Sequence, residues 1–306
     1  MSDDDSQLTN NNGGSASGAG SVGNHTTQNS GKGDEEQQQF QFVCKIDNAR
    51  ILHNILSALA YKKDGQMATL SISANGLKFT VEESNSFQGN AFLQQELFQE
   101  YHFSSKHEQF KINFSLLLDC LNIYGSGASF VSLQIGYRGY GHPLLLLLEQ
   151  GGATTHCGLS TLDSEQLNNF NFRGHNIVNK VIMEAPFLKE AFDELDWSST
   201  NATITLSPND FRLSTAGASG SCQVDYPHDS EVFESFECKS HQTNTYKLAL
   251  LSPAIKALSI AQKTQMRLNE IGLLSFQHMI ENEDKNISFV DFFVAPLEED
   301  MNDNED

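Results

Sequence analysis

Ala68-Thr-Leu-Ser-Ile-Ser-Ala-Asn-Gly-Leu-Lys-Phe-Thr80 is the stretch that decides how this chain is organised. Leu70 and Ile72 alternate with Ser71 and Ser73, the period-2 pattern of a half-buried strand. Asn75-Gly76 then predicts a type I′ hairpin turn, with positive φ at both central residues. Leu77 and Phe79 resume the alternation. The chain repeats the phrase 134 residues later, as Ala202-Thr-Ile-Thr-Leu-Ser-Pro-Asn-Asp-Phe-Arg-Leu-Ser214. Eleven of these thirteen positions are identical or alike in kind, without a gap. That agreement predicts a duplicated unit.

The surrounding segments extend the repeat. Before the first hairpin, Phe40–Ile46 reads as a strand and Asn48–Ala60 as a helix with Leu52, Ile55, Leu56 and Leu59 inward. Asp47 or Asn48 is its candidate N-cap. Before the second hairpin, Ile177–Met183 reads as a strand. Ala185–Leu195 reads as a helix with Pro186 near its start and Leu188, Phe192 and Leu195 inward. After the first hairpin come strand Gly89–Leu93, strand Phe110–Phe114 and a helix from Ser115 to about Tyr124. Strands Phe130–Tyr137, His142–Gln150 and Ala153–Ser160 follow. After the second hairpin come a strand around Ser221–Asp225, then Tyr246–Leu250, aligned with Phe110–Phe114. A helix opened by Ser252-Pro253 and three strands to Ala295 complete it. Leu144–Leu148 is apolar on both faces, which predicts a strand with neighbours on each side. Four helices with apolar stripes one face wide coat sheets rather than form a bundle.

The expected division is a disordered Asn/Gly/Ser-rich arm over 1–39, units over 40–160 and 177–297, a connector over 161–176 and an acidic tail over 298–306. The net charge of the chain is −20, of which 1–39 carries −5 and 298–306 carries −6, leaving −9 for 40–297. Bulk charge therefore does not advertise nucleic-acid binding; contact with DNA would need a local patch. Cys44, Cys120, Cys157, Cys222 and Cys238 are odd in number and lack C-x-x-C spacing, the pattern of reduced thiols in a cytosolic or nuclear protein. The acidic, polar first residues are not a signal peptide, and the longest apolar run, Pro143–Leu148, is too short to span a bilayer.

No catalytic constellation is legible. G-x-x-x-x-G-K-[ST], H-E-x-x-H and G-x-S-x-G are absent. Glu281, Glu283 and Asp284 form the compact carboxylate group that a two-metal nuclease would need, in what reads as a solvated turn. No cofactor or metal site is expected. What remains is surface: Arg50, Lys189, Lys256 and Lys263 on polar helix faces, with Lys62 and Lys63 after the first helix. The alternative for these cations is an ordinary solvated face.

By its repeat, its C-terminal Phe292-Phe-Val-Ala-Pro296 and the acidic residues after it, the chain resembles the DNA sliding clamps of the PCNA superfamily over about residues 40–300. Within it, the chain is similar to the Rad-one subunits of the checkpoint (9-1-1) clamp. Gly89-Asn-Ala-Phe-Leu93, Leu117-Leu-Asp-Cys-Leu121, Gly139-Tyr-Gly-His-Pro143, Leu148-Glu-Gln-Gly-Gly152 and Phe211-Arg-Leu-Ser-Thr215 carry the likeness, with Asn179-Lys-Val-Ile182 and Asp225-Tyr-Pro227. The resemblance implies an α+β sliding-clamp fold, two duplicated domains each with two helices on antiparallel sheets. It implies a nuclear, non-catalytic subunit of a heterotrimeric ring that encircles double-stranded DNA, without membrane contact. Its partners would be subunits of the Rad-nine and Hus-one types, an ATP-dependent clamp loader, and repair and signalling proteins. Arg50, Lys62, Lys63, Lys189, Lys256 and Lys263 would face DNA. Thr155, His156, Cys157 and Gly158 would form one subunit edge, and Cys222, Gln223 and Val224 the other. Leu162, Leu167, Phe170, Phe172, Ala295 and Pro296 would receive partner peptides. Two alternatives stand beside this: a 3′–5′ exonuclease, an activity proposed for the family, and a homotrimeric replication clamp.

Overall fold

A computed structural model describes residues 40–125, 130–168, 170, 176–218, 220–282 and 285–298. The first repeat runs β1 (Phe42–Ile46), α1 (Ala49–Ser57), β2 (Met67–Ser73), β3 (Gly76–Glu83), β4 (Phe87–Gln94) and β5 (Glu100–Phe103). It continues through β6 (Glu108–Asn113), α2 (Phe114–Leu121), β7 (Ser132–Tyr137), β8 (Leu144–Gln150) and β9 (Ala153–Leu159). A two-residue strand, β10 (Leu162–Asp163), follows. The second repeat has the same order: β11 (Ile177–Glu184), α3 (Ala185–Asp193), β12 (Asn201–Leu206), β13 (Asp210–Gly217), β14 (Gly220–Pro227) and β15 (Phe233–Cys238). It closes with β16 (Gln242–Lys247), α4 (Leu248–Ala257), β17 (Lys263–Asn269), β18 (Leu274–Glu281) and β19 (Ile287–Val294).

These strands form three antiparallel sheets, ordered β5-β1-β7-β8-β9, β10-β6-β2-β3-β4-β19-β18-β17-β11-β15 and β14-β13-β12-β16. The ten-stranded sheet fuses the repeats through β4 and β19, with Phe292 opposite Gly89. The repeat equates β4 with β14 and β19 with β9. Those two counterparts are terminal strands of the four- and five-stranded sheets. One joint is thus closed inside the chain, and its two edges recur without a second neighbour among the described residues.

Local chemistry sets the elements. Asn48 caps α1 by accepting from the Arg50 amide at 3.1 Å. Leu52, Ile55 and Leu56 bury the stripe below it. Asn113, not Ser115, caps α2, accepting from the Leu116 amide at 2.9 Å. Ser115 instead accepts from the Gln66 amide, and α2 ends at Leu121, before Tyr124.

Four further readings are corrected. The first hairpin turns through Ala74-Asn75, since Ser73 pairs with Gly76; Gly76 carries φ of 134° and Asn75 is not left-handed. A Cβ at Gly76 would stand 2.1 Å from the Leu93 carbonyl oxygen, so glycine is required there by crowding and by φ. Helix α4 begins at Leu248 and holds Pro253 inside it. The pairing Leu70–Phe110 recurs as Ile204–Asn244, which places Tyr246 at the counterpart of Ile112 rather than Phe110. In β8, Leu144, Leu146 and Leu148 are buried while Leu145 and Leu147 are only half-buried, so one face of the leucine run remains partly open.

Candidate DNA-facing helices and subunit edges

The helices keep their apolar stripes on the sheets and turn a polar face outward. Exposed positions include Arg50 and Asn54 on α1, Asp119 on α2, Glu190 and Asp193 on α3, and Lys256 on α4. With half-buried Lys189, which pairs with Asp193 one turn on, the formal charges of this set cancel. The set is therefore far less acidic than the chain, whose net charge is −20. Helices α1 and α2 pack side by side. Helix α1 also faces the segment after α4 across a groove lined by Arg50, Asn54, Gln99, Ser259 and Gln262. Lys256 sits in the last turn of α4, where the helix dipole favours a cation.

The other predicted cations divide. Lys62 lies 3.6 Å from Glu83 and over the Tyr61 ring at 5.1 Å, and Lys63 is exposed. Lys263 is a strand residue, not a helix residue. It alternates with buried Thr264, whose hydroxyl meets His278 on the α4 side, so Lys263 leaves the opposite face and pairs with Glu234 at 2.6 Å. The structure thus separates Lys263 from the helix set.

Each candidate edge has a paired and an unpaired side. Among the described residues, strand β9 pairs with β8 alone, and β14 with β13 alone. Each leaves a row of backbone N–H and C=O groups open to a further strand. Along β9, Thr155 and Cys157 turn toward α2 and are half-buried, while His156 and Gly158 are exposed. The Tyr124 and Thr155 hydroxyls lie 2.9 Å apart, pinning the turn after α2 to this edge. The Cys157 thiol meets that of Cys120, and burial, reinforced by this contact, pushes the Cys120 thiol up to about 12. Along β14, Cys222 donates to the Glu194 carbonyl at 2.9 Å, exposed Gln223 donates to Asp225, and Val224 is half-buried.

The described stretch of the connector up to Asn168 is fastened to the first repeat. The Asn168 amide donates to Glu82 at 2.9 Å, its side chain donates to the Ser84 carbonyl at 3.0 Å, and its own carbonyl accepts from Gln88 at 3.0 Å. Lys111 holds Glu165 at 2.7 Å. Leu162 is exposed and Leu167 half-buried, but Phe170 is buried against Leu273 and Phe293, so its side chain is not on offer to a partner. Phe172 lies outside the described residues. Ala295 and Pro296 are half-buried, and the Ala295 amide donates to the Ser86 carbonyl at 2.9 Å. No local pattern announced Asn168, Glu82 and Gln88, because their role depends on contacts about 80 residues apart in sequence.

Of the carboxylate group, Glu281 ends β18 and pairs with Lys285 at 2.5 Å; Glu283 and Asp284 lie outside the described residues. Among the described residues no cluster of three or more His, Cys, Asp or Glu could hold a metal ion. No helix among them is long and apolar enough to cross a membrane.

Duplicated repeats fused through one continuous sheet and coated by four helices define the sliding-clamp fold. The solved structure of PCNA from Thermococcus kodakaraensis superposes with a TM-score of 0.68 over 84% of this chain and 100% of its own, at 18% identity. More specifically, the family described as "Repair protein Rad1/Rec1/Rad17" matches residues 41–280, and the chain belongs to it. The "Cell cycle checkpoint protein RAD1" of Mus musculus is 42% identical over 271 residues, covering 87% of this chain and 96% of its own. The "DNA repair exonuclease REC1" of Mycosarcoma maydis is 25% identical, covering 58% of this chain and 50% of its own.

Proposed function

We propose that this chain is a non-catalytic subunit of a heterotrimeric ring that encircles double-stranded DNA in the nucleus and scaffolds DNA-damage checkpoint signalling and repair. The observation that carries this reading is the β4–β19 joint together with its unpaired counterparts, β14 and β9. A chain with one closed joint and two such edges can add a neighbour at each, and heterologous contacts of this kind close into a ring when the rotation permits. The units over 40–160 and 177–297 would then be the two clamp domains, and Thr155–Gly158 and Cys222–Val224 the edges taken by Rad-nine-type and Hus-one-type subunits through β-augmentation. The helices would line the hole. Arg50, Lys62, Lys63, Lys189 and Lys256 would meet phosphates without reading bases, which allows sliding, while the acidic remainder repels DNA elsewhere. A loader of the ATP-dependent class would open the ring. Leu162, Leu167 and the Ala295-Pro296 pair remain the connector-side candidates for partner peptides.

Edge substitutions test this. Tested against each partner type separately, His156→Pro on β9 and Gln223→Pro on β14 should each abolish binding of one partner subunit and keep binding of the other. Retention of both by both variants would defeat the edge assignment. The fungal relative is named an exonuclease, which favours a second reading for this chain, the 3′–5′ exonuclease weighed above. If purified chain degrades DNA, replacing Glu281, Glu283 and Asp284 with Ala should abolish it; full activity in the triple variant would remove the only carboxylate group that this reading has.

A further inference from the structure

The turn between α1 and β2 carries two of the candidate DNA-facing lysines, and a buried side chain closes it. Gln66 is 2% exposed. Its side-chain oxygen accepts from the Tyr61 and Lys62 amides, each at 3.0 Å, and its side-chain nitrogen donates to the Leu59 carbonyl at 2.9 Å. Its backbone meets α2: the amide donates to the Ser115 hydroxyl at 3.1 Å, and the carbonyl accepts from the Phe114 amide at 2.7 Å. Both ends of the side chain are thus spent on backbone groups of one turn. Losing these bonds would strand buried polar groups, which is why such an amide fixes what it touches.

The turn faces the helix side of the sheet. Tyr61 stands edge-on to Phe87 at 5.4 Å, and its hydroxyl donates to the Glu82 carbonyl. Phe87 shares a face of β4 with Gly89, two residues on. A Cβ on Gly89 would stand 3.1 Å from Leu59, just after α1, so this is the face that α1 covers. The Lys62 ammonium lies over the Tyr61 ring at 5.1 Å, and Lys63 is exposed beside it.

The second repeat shows what the fold itself requires at this position. Thr200 stands where Gln66 stands, and its carbonyl accepts from the Leu248 amide at 2.9 Å, as that of Gln66 does from Phe114. The backbone bond is common to both repeats. A threonine side chain is too short to reach across a turn as Gln66 does. The second turn is tied from its tip instead, by the Trp197 indole donating to the Phe192 carbonyl at 3.0 Å. Residues 194–199 carry Glu194 and Asp196 and no lysine. The Gln66 side chain is therefore an addition to the common fold, placed on the turn that carries Lys62 and Lys63.

We propose that Gln66 is a positioning residue for DNA: it holds the turn so that Lys62 and Lys63 meet phosphates at fixed points. This rests on the ring reading above and names, within it, the residue on which two of the cations depend. A lysine whose backbone is already placed gives up less freedom on meeting a phosphate.

The test is Gln66→Met, which keeps the side chain's length and removes its hydrogen bonds. Binding of a duplex oligonucleotide by the assembled ring is measured for this variant, for Lys62→Ala with Lys63→Ala, and for all three changes together. Gln66→Met alone should weaken binding about threefold to tenfold, the cost of ordering the freed turn. Added to the lysine pair, it should weaken binding no further, a coupling that a merely structural role would not produce. A folded Gln66→Met ring that binds as wild type does would overturn the proposal, as would an equal loss with and without the two lysines. Should Gln66→Met not fold, hydrogen exchange of the wild-type ring decides. The Tyr61 and Lys62 amides should exchange at least about tenfold more slowly than in an unstructured peptide of the same sequence, and equal rates would overturn it. Failure of the DNA-facing reading is seen separately, as a lysine-pair variant that binds as wild type does.

Discussion

Phe292→Ala probes the joint that fuses the two repeats. Phe292 is fully buried on β19, faces Gly89 across the joint, and packs its ring 6.1 Å from that of Phe87 and 5.6 Å from that of His278. Removing the ring forfeits its transfer free energy and leaves a cavity that Gly89, without a side chain, cannot fill. Such truncations cost about 3–5 kcal/mol. The loss should sit near the upper end, because the aromatic pair with Phe87 adds about 0.5–1.5 kcal/mol beyond area. In a chain of this size the melting temperature should fall on the order of 10 °C. Urea unfolding followed by circular dichroism measures it, with an unchanged slope showing that the unfolded state is not altered. A loss below about 1 kcal/mol would refute the claim that this ring holds the joint.

Three further outcomes follow from the same geometry. In the assembled ring, Lys62→Ala, Lys63→Ala, Lys189→Ala and Lys256→Ala should each lower the slope of log affinity against log salt by up to about one unit, without sequence dependence, while Lys263→Ala, on the opposite sheet face, should leave it unchanged. Burial holds the His278 imidazole down at about 3, below an ordinary value of 6.5, so the unfolded chain binds the extra proton first. Its contribution to stability is present above pH 6.5 and lost as pH falls toward 3, by up to about 1.4 kcal/mol per pH unit, and His278→Phe should flatten that part of the urea-midpoint profile. Asn168→Ala removes the side-chain bond to the Ser84 carbonyl and loosens the flanking contacts to Glu82 and Gln88; proteolysis within 160–170 should accelerate while global unfolding shifts by no more than about 1.5 kcal/mol.

The hairpins were legible because large apolar residues alternate with small polar ones on their core-facing side: Leu70 and Ile72, then Ile204 and Leu206, are all fully buried. Strands β5 and β15 were missed, because their residues alternate only between exposed and half-buried and carry no such contrast. Ser252-Pro253 looked like a helix start, since proline suits the first turn. The helix instead begins at Leu248, where burial of Leu248, Leu251 and Ile255 outweighs the backbone bond that Pro253 cannot make. The helix cations were readable as a set, but Lys263 fell on a strand whose pleat sends it away from α4. The edge strands β9 and β14, half-exposed along their length, carry no periodic signal of their own; only their place in the repeat marks them. Phe170 in sequence is one apolar residue in a polar connector, and its burial against Leu273 and Phe293 is set by residues more than 100 positions away.

The mass of the complex formed when this chain is co-expressed with Rad-nine-type and Hus-one-type subunits tests the central claim most directly. The account predicts one copy of each chain in a single assembly, measured by native mass spectrometry. A stable monomer that ignores both partners would contradict it, and so would a trimer of this chain alone.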